Sequence, residues 1–288
     1  STDPDLKHFN NLKFDLWENF IDNKSLEIVF ESLPFNHPLY IMYSSGTTGK
    51  PKSIVHSVGG TLIQHLKELQ LHTDIDRKDT VFYYTTCGWM MWNWLISSLG
   101  LGSTIVLYDG SPFFPSGKVL IDMIDKLGIT VFGTSAKYIS ALESANISPK
   151  KISKLSSLKT ILSTGSPLVE KNFDFVYSNW KSDVQLSSIS GGTDIISCFA
   201  LGNPLLPVFR GELQSKGLGM NVESFDEKGR SVLNETGELV CTSAFPSMPI
   251  YFWNDNNGQL YNAAYFSKYK DVWHHGDLLE INDRGGMK

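Results

Sequence analysis

The sequence has few cysteines and no long apolar run. Its three cysteines, Cys87, Cys198 and Cys241, are far apart and form no CxxC pair, which argues against a disulfide framework and against a zinc site of the usual spacing. The most apolar stretch, from Trp89 to Leu101, is interrupted by polar residues and glycine and is too short to span a bilayer. We therefore expect a soluble protein of a reducing compartment such as the cytoplasm, with no membrane insertion.

An excess of positive charge is absent as well. The 288 residues carry a net charge of -5 at pH 7, the pI is near 5.8, and the lysines and arginines are scattered. This balance excludes a broad nucleic-acid-binding surface, so any phosphate binding must be local. The chain also lacks an initiator methionine and a signal-peptide pattern, and "INDRGGMK" stops within a strand-like pattern. We expect a fragment of a longer protein.

The composition is that of a globular protein, and strand and helix patterns alternate from Leu39 to about Ile189. Strand-like runs such as "TVFYYTT" and "ITVFGT" are separated by helix-like runs such as "VLIDMIDKLG". This alternation predicts an α/β fold, with a doubly wound, mostly parallel sheet layered with helices. In such a fold, ligands bind beyond the carboxyl ends of the strands.

Three segments are predicted along the chain. Residues 1–38 are an incomplete lead-in segment, residues 39–202 an α/β subdomain, and residues 203–288 a smaller β-rich subdomain. In the last segment, "GMNVESFDEKGRSV" and "TGELVCTS" predict antiparallel strands, with turns at Lys228-Gly229 and at Thr236-Gly237.

The stretch "YIMYSSGTTGKPKSIVHS" places a loop rich in glycine and hydroxyl residues after an apolar run. A Walker A loop needs G-x-x-x-x-G-K-S/T, whereas here Gly46 and Gly49 are three apart and Lys50 is followed by Pro51. The proline removes a backbone donor and biases Lys50 away from helical conformation. The loop still offers backbone N–H groups, hydroxyls and the Lys52 cation to an anion. A hairpin or a surface turn is the alternative interpretation.

The loop resembles a signature of the adenylate-forming enzymes, which include acyl-CoA synthetases, luciferases and peptide-synthetase adenylation domains. "YSSGTTGKPK" matches their pattern Y/F-T/S-S/T-G-S/T-T-G-x-P-K. Three further segments, "STGSPL", "SISGGTDI" and "WHHGDL", resemble three more conserved motifs of the family in the same order, and these four motifs are called the family words below. The four words cover roughly residues 39 to 288, nearly the whole chain. The resemblance implies that ATP adenylates a carboxylate and that pyrophosphate leaves.

The resemblance also implies a role for the residues of each word. The residues around the ATP phosphates would be Ser44, Ser45, Gly46, Thr47, Thr48, Gly49, Lys50 and Lys52. The adenine would be bordered by Gly165, Ser166 and Pro167. Near the α-phosphate would lie Gly192 and Thr193, and on the ribose hydroxyls Asp277. The implied catalytic residues are Thr193, Asp194 and Lys52. Asp194 stands where the family has a Mg²⁺-binding Glu, and this shorter side chain would move the metal or require a bridging water.

Other words narrow the acid. "GWMMWNW", "LYDGSPFFP" and "SISGGTDIISCF" are most similar to the acyl-CoA synthetases that act on acetoacetate. Family members that activate acetate have bulky tryptophans before the T-E pair, where this chain has Ser190 and Gly191, and the freed volume suits a four-carbon 3-oxo acid. The implied substrate-binding residues are Trp89, Met90, Met91, Asn93, Ser190 and Gly191.

The implied reaction uses acetoacetate, ATP, Mg²⁺ and coenzyme A, and it needs no enzyme nucleophile. The histidines need not be catalytic, and His65 and His72, seven apart on a predicted helix, are expected to face solvent. In the family, a mobile C-terminal domain and its hinge follow the point at which this chain ends. We therefore expect the fragment by itself to be inactive, with that domain as its partner.

Alternatives remain open on the sequence. The chain also fits a ligase for another short acid such as acetate or butyrate, or a catalytically degenerate nucleotide-binding homologue, which the Asp194 departure favours. A phosphotransferase has the least support, because neither a Walker A loop nor the context of a kinase lysine is present.

Overall fold

The structure is a computed structural model that describes residues 16–21, 27–44 and 51–288. The chain divides into two units, Ser1–Leu33 and Pro34–Lys288. In the first unit, the described residues contain one helix, α1 (Trp17–Phe20), which is a single turn without buried side chains. The second unit contains the other helices and the strands.

The second unit is built from one parallel sheet, three antiparallel sheets and the helices around them. Its strands are β1 (Pro38–Ser44), β2 (Lys52–Ser57), β3 (Thr80–Tyr83), β4 (Thr104–Val106), β5 (Val131–Ser135), β6 (Thr160–Thr164), β7 (Gln185–Ser188), β8 (Ser190–Gly192), β9 (Ser197–Leu201), β10 (Ser215–Lys216), β11 (Val222–Phe225), β12 (Thr236–Cys241), β13 (Tyr251–Phe252) and β14 (Trp273–Glu280). Its α-helices are α2 (Val58–Lys67), α3 (Met90–Ser97), α4 (Val119–Leu127), α5 (Ala136–Ser144), α6 (Glu170–Asn179) and α7 (Gln259–Tyr265). A π-helical turn, Glu68–His72, continues α2, and 3-10 turns cover Ser98–Leu101 and Pro149–Lys151.

The five-stranded sheet has the order β4-β3-β5-β6-β7, with every neighbouring pair parallel. Successive side chains of these strands point to opposite faces of the sheet, and both faces are buried. Phe132 and Ile161 belong to the hydrophobic cluster that contains α4, α5 and α6, whereas Val131 and Leu162 belong to the cluster that contains α3. Because both faces are covered, the strands appear in the sequence as continuous apolar runs. The predicted doubly wound α/β architecture is confirmed.

Local signals decide where several helices begin and end. The hydroxyl of Ser57 accepts a hydrogen bond from the N–H of Gly60 at the start of α2, and Ser135 does the same for Tyr138 at the start of α5. Helix α4 ends at Gly128, whose φ of 64° is left-handed, a conformation that costs glycine least.

The first strand departs from the predicted order. β1 pairs with β2 in an antiparallel register that places Ser44 opposite Lys52, and β2 pairs in turn with β13. These strands form a sheet of their own, so the parallel sheet starts at β3 rather than at Leu39. An antiparallel pair can be joined by a short connection, whereas a parallel pair needs a crossover of a dozen or more residues.

The antiparallel sheet β11-β12-β14 confirms one predicted turn and corrects another. Gly229, with φ 74°, donates its N–H to the carbonyl of Asp226 in the turn after β11. The turn predicted at Thr236-Gly237 is wrong, because both residues lie within β12 and the left-handed conformation falls on Asn234. A Cβ at Gly237 would lie 2.4 Å from the carbonyl oxygen of Phe225, so this glycine permits close strand pairing rather than a turn.

No helix within residues 16–21, 27–44 and 51–288 is both long and apolar enough to cross a membrane. Cys198 and Cys241 are buried, Cys87 is exposed, and all three are free thiols in the structure.

The prediction that His65 and His72 face solvent is wrong, because both side chains are buried. Nδ1 of His72 donates to the carbonyl of Gly202 at 2.8 Å, and its Nε2 accepts from the N–H of Leu218 at 3.0 Å. This pair of contacts requires a neutral ring. Burial lowers the pKa of His72, and it lowers the pKa of His65 as well.

The burial of His72 predicts a loss of stability in acid. Its folded pKa lies below the ordinary value of 6.5, so as the pH falls below that value the unfolded chain binds a proton that the folded chain does not. The free energy of unfolding therefore decreases. Urea unfolding at about pH 7.5 and about pH 5.5 should show a smaller decrease for His72→Gln than for the parent. His37→Gln, at an exposed position, should behave as the parent; an unchanged decrease in His72→Gln would contradict the assignment.

Candidate active site

A cavity of about 720 Å³ opens at the carboxyl ends of β6 and β7. This is the edge at which ligands bind in open parallel sheets, and the volume lies within the range of small-molecule sites. Three of the predicted words meet in its lining, which includes Gly165–Ser166–Pro167, Ser190–Gly191 and Asp277.

The cavity wall that follows β6 is formed in part by backbone that no side chain covers. Gly165 has φ 84°, and a Cβ at this position would meet no atom within 4 Å. The hydroxyl of Thr164 donates to the carbonyl of Ile189 at 3.2 Å, which ties the end of β6 to the chain after β7. The backbone here is both held in place and uncovered, so a flat group can approach it closely.

The wall that follows β7 contains Ser190 and Gly191. Gly191 is paired with Cys198 of β9, and a Cβ at Gly191 would lie 2.1 Å from the carbonyl oxygen of Ser197. The close approach of β8 and β9 therefore requires glycine at this position. This reason is independent of any need for space in an acyl pocket.

The predicted substrate residues around α3 do not line this cavity. Met90 and Met91 are buried in a hydrophobic cluster that also contains Ile189, the residue just before β8. Asn93 is buried, and Trp89 is half-exposed. The two methionines thus share a hydrophobic cluster with the residue that precedes the second wall. Their part in binding a substrate stays a prediction, as does that of the other α3 residues.

The third wall includes β14, where Asp277 follows Gly276. The Asp277 side chain is 66% exposed, and its Oδ2 lies 3.6 Å from Nε2 of His275. The predicted ribose-binding carboxylate thus lies in the same cavity as the predicted adenine-binding backbone.

An ion pair lies on a neighbouring part of the structure. The Lys52 ammonium, at the start of β2, contacts Oδ1 of Asp194, in the turn between β8 and β9. The hydroxyl of Tyr265 donates to the same oxygen at 2.6 Å. Two of the predicted catalytic residues, 142 positions apart in the sequence, are therefore in direct contact.

The protonation states of this cluster are set by opposing effects. Burial by itself would raise the pKa of Asp194, but the hydrogen bonds from Lys52 and Tyr265 and the charge of Lys52 outweigh it, so the pKa lies below its ordinary value. Burial and the nearby Asp194 charge raise the pKa of the Tyr265 phenol far above its ordinary value. At neutral pH the carboxylate is charged and the phenol is a hydrogen-bond donor.

Two buried histidines donate hydrogen bonds to the backbone of the turn that carries Thr193 and Asp194. Nε2 of His56 donates to the carbonyl of Thr193 at 2.9 Å, and Nε2 of His65 donates to the carbonyl of Ile196 at 2.6 Å. Ile196 has φ 46°, a left-handed conformation that a β-branched residue rarely adopts. Burial lowers the pKa of His56 to about 4, so its ring is neutral at neutral pH.

Glu68 extends this support to the strand that leaves the turn. Its carboxylate is fully buried and accepts hydrogen bonds from Ser197 Oγ at 2.5 Å, from the N–H of Cys198 at 3.1 Å and from Nε1 of Trp94 at 3.0 Å. The start of β9 is therefore tied to the π-helical turn after α2 and to α3. A buried polar group with several partners specifies one arrangement of its neighbours.

Replacing Glu68 with leucine should lower the free energy of unfolding by about 3 kcal/mol or more, because several buried donors would lose their acceptor. Urea denaturation measures this loss. Glu227→Leu, at an exposed position, serves as the control and should change stability by less than about 0.5 kcal/mol. A Glu68→Leu protein within about 1 kcal/mol of the parent would contradict the role of Glu68.

The remaining predicted residues divide into two groups. Outside the described residues lie Ser45, Gly46, Thr47, Thr48, Gly49 and Lys50. Ser44 is the last residue of β1, opposite Lys52. Gly192 and Thr193 directly precede Asp194, and a Cβ at Gly192 would meet no atom within 4 Å.

Sequence patterns did not single out Tyr265, His56 or Glu68 as parts of the site. Tyr265 lies in "QLYNAAYF", between two of the words and 71 positions from Asp194. The available signal for Glu68 was its place between Leu66 and Leu69 on an apolar helix, which does not identify a partner.

The side chains available as ligands limit which metal ion the site could bind. The described residues contain no cluster of three or more His, Cys, Asp and Glu side chains placed to bind an ion. Mg²⁺ needs only one or two protein carboxylates when substrate phosphates supply other oxygens. Both hydrogen bonds to Asp194 from the described part of the chain reach Oδ1. Oδ2 therefore accepts no hydrogen bond from the described residues, and a donor set of one carboxylate fits Mg²⁺.

A parallel sheet with a cavity at its carboxyl edge, beside a lysine–carboxylate pair, is the arrangement of an α/β small-molecule-binding domain. Comparison with known proteins narrows this class. The model of the family described as "AMP-binding enzyme" matches residues 9–252, and the chain belongs to that family.

Two curated relatives and one solved structure share the same name. The chain is 58% identical over 260 residues to an acetoacetyl-coenzyme A synthetase of Rhizobium meliloti (strain 1021), covering 90% of this chain and 40% of that protein. It is 56% identical over 260 residues to an acetoacetyl-CoA synthetase of Gallus gallus, covering 90% and 39%. The solved acetoacetyl-CoA synthetase of Streptomyces lividans matches with a TM-score of 0.87 and 48% identity, over 91% of this chain and 41% of that one. The chain thus spans about 40% of the length of these relatives.

Proposed function

We propose that this chain is the nucleotide-binding part of an AMP-forming acid–thiol ligase that converts acetoacetate, ATP and coenzyme A into acetoacetyl-CoA, AMP and pyrophosphate. The observation that carries the proposal is the convergence of the predicted words. Gly165, Ser190 and Asp277 line one cavity, and Lys52 and Asp194 are in contact beside β8. The names of the relatives support acetoacetate as the acid.

Different residues would contact the adenine, the ribose and the phosphates of the nucleotide. The open backbone at Gly165 to Pro167 suits the flat adenine, and the exposed Asp277 carboxylate suits the two ribose hydroxyls as hydrogen-bond donors. The phosphates would then extend toward Thr193 and Lys52. Residues 44–50, of which Ser44 is described, would contact the phosphates that leave.

Charge is the chemical difficulty that this site would overcome. An acid carboxylate and a polyphosphate repel, so positive groups and donors must be in place before the two can approach. Lys52 supplies a cation, and Asp194 would hold Mg²⁺ through its second oxygen. Magnesium, when bound, supplies positive charge that offsets the charge of the phosphates.

The two half-reactions balance without an enzyme nucleophile. A carboxylate oxygen of acetoacetate attacks the α-phosphorus, the bond to the β-phosphate oxygen breaks, and pyrophosphate leaves. The sulfur of coenzyme A then attacks the acyl carbon, the thiol proton is lost, and AMP leaves with the bonding electron pair. The resemblance implies that a C-terminal domain rotates between these steps.

A product assay on the full-length protein tests the reaction. Acetoacetate, acetate and butyrate are supplied in turn with ATP and coenzyme A, and AMP and ADP are quantified. We expect AMP, and the highest kcat/KM with acetoacetate, because Ser190 and Gly191 place no bulky group on the cavity wall. ADP as the product would reject the reaction class. Equal or better kcat/KM with acetate would reject the acid, and absence of any AMP would favour a nucleotide-binding homologue without turnover.

A binding measurement on the same protein tests the ribose contact. Asp277→Asn should raise the dissociation constant of AMP by about tenfold, because the charged acceptor for two hydroxyls is lost. Isothermal titration calorimetry measures it. Asp283→Asn, at an exposed carboxylate beyond β14, is the matched control and should bind as the parent. Equal affinities for the two variants would remove Asp277 from the site.

A further inference from the structure

Tyr265, the last residue of α7, contacts both members of the ion pair. Its hydroxyl lies 2.6 Å from Oδ1 of Asp194 and 3.5 Å from the Lys52 ammonium. The same ammonium lies 4.9 Å from the centroid of the Tyr265 ring. The phenol is therefore part of the charged cluster rather than only part of the hydrophobic core.

The ring of Tyr265 is fixed by its aromatic neighbours. It stacks on Trp273 with a centroid distance of 3.7 Å and an interplanar angle of 15°, and the rings of Phe252 and Tyr261 meet it edge-on. The residue is 2% exposed. Such packing leaves the phenol a single position, so its hydroxyl is a preorganised donor.

Trp273 connects this cluster to the cavity. It is the first residue of β14, the strand that also carries Asp277. The stacked pair thus fixes the position of the Asp194 carboxylate relative to the strand that forms one wall of the cavity.

The Lys52 ammonium has three N–H donors, which the Asp194 carboxylate and a phosphate would share. It contacts Asp194 in this structure, and in the proposed reaction it contacts phosphate. When the ammonium moves toward phosphate, the Asp194 carboxylate loses one donor. The Tyr265 hydroxyl reaches the same oxygen without help from Lys52, so it can hold the carboxylate in either situation.

We propose that Tyr265 is a positioning residue that binds Oδ1 of Asp194 and thereby leaves Oδ2 aligned for the divalent cation of a metal–nucleotide complex. The proposal rests on the proposed function.

Tyr265→Phe removes the hydroxyl and retains the ring. Tyr261→Phe is the matched control, because Tyr261 lies in the same cluster, 5.4 Å from Tyr265 between centroids, and in the described structure its hydroxyl makes no hydrogen bond to Asp194. The full-length protein is titrated by calorimetry with ATP in the presence of Mg²⁺, and with AMP in the presence of EDTA. We expect Tyr265→Phe to weaken the magnesium-dependent binding by about tenfold and to leave AMP binding within about twofold.

Steady-state kinetics separates positioning from general damage. The KM for magnesium–ATP should rise in Tyr265→Phe, while the KM for the acid stays within about twofold, and Tyr261→Phe should change neither. In a double-mutant cycle with Asp194→Asn, the two substitutions should be non-additive, because the hydroxyl acts through the carboxylate. Thermal unfolding of each variant identifies any that fails to fold, and the calorimetric comparison is then made with Tyr265→His, which retains a ring but places no hydroxyl at Asp194.

Two outcomes overturn the proposal: equal magnesium-dependent binding in Tyr265→Phe and Tyr261→Phe, or full additivity with Asp194→Asn. Both are distinct from a failure of the proposed function, which is read from the parent protein. A parent that forms AMP, with a Tyr265→Phe variant that binds magnesium–ATP normally, refutes only the role of Tyr265.

Discussion

The contact between Lys52 and Asp194 is the interaction on which the arrangement of the site depends. It joins the antiparallel sheet that contains β2 to the turn between β8 and β9. A partly buried carboxylate needs a partner, since its desolvation would otherwise raise its pKa and neutralise it. The partners are the Lys52 ammonium and the hydroxyl of Tyr265, whose ring is packed against Trp273. The fold therefore maintains the negative charge at Asp194.

The turn that bears Asp194 is supported by polar groups with no solvent contact. His56 and His65 donate to its carbonyl groups, and Glu68 receives the donors at the start of β9. Such groups lower stability unless every partner is present, but they allow only one arrangement of the backbone. The left-handed Ile196 shows that this turn is held in a conformation that its own residue type disfavours. The turn is therefore fixed by its contacts to α2 and to the π-helical turn that continues α2, which carry His65 and Glu68.

Much of the fold was predictable from local pattern. The strands of the parallel sheet are apolar runs because they are buried on both faces, and the helices between them end at signals such as Gly128. The prediction failed where a pattern has two explanations. Thr236-Gly237 has the residues of a turn, but its glycine serves strand pairing, and a histidine spacing typical of one helical face did not reveal that this face is covered. Each failure concerns what lies opposite a residue, which a local pattern does not contain.

The sequence by itself determined the family words and their order at strand ends, because these depend on residue type and spacing along the chain. The family resemblance then implied that pyrophosphate rather than a transferred phosphate leaves. Only the tertiary structure decided that Gly165, Ser190 and Asp277 share a cavity and that Lys52 meets Asp194 across 142 positions. It alone decided that Tyr265 reaches the same carboxylate oxygen. The physical reason is that a hydrogen bond or an ion pair acts over about 3 Å in space, whatever the separation of its partners along the chain.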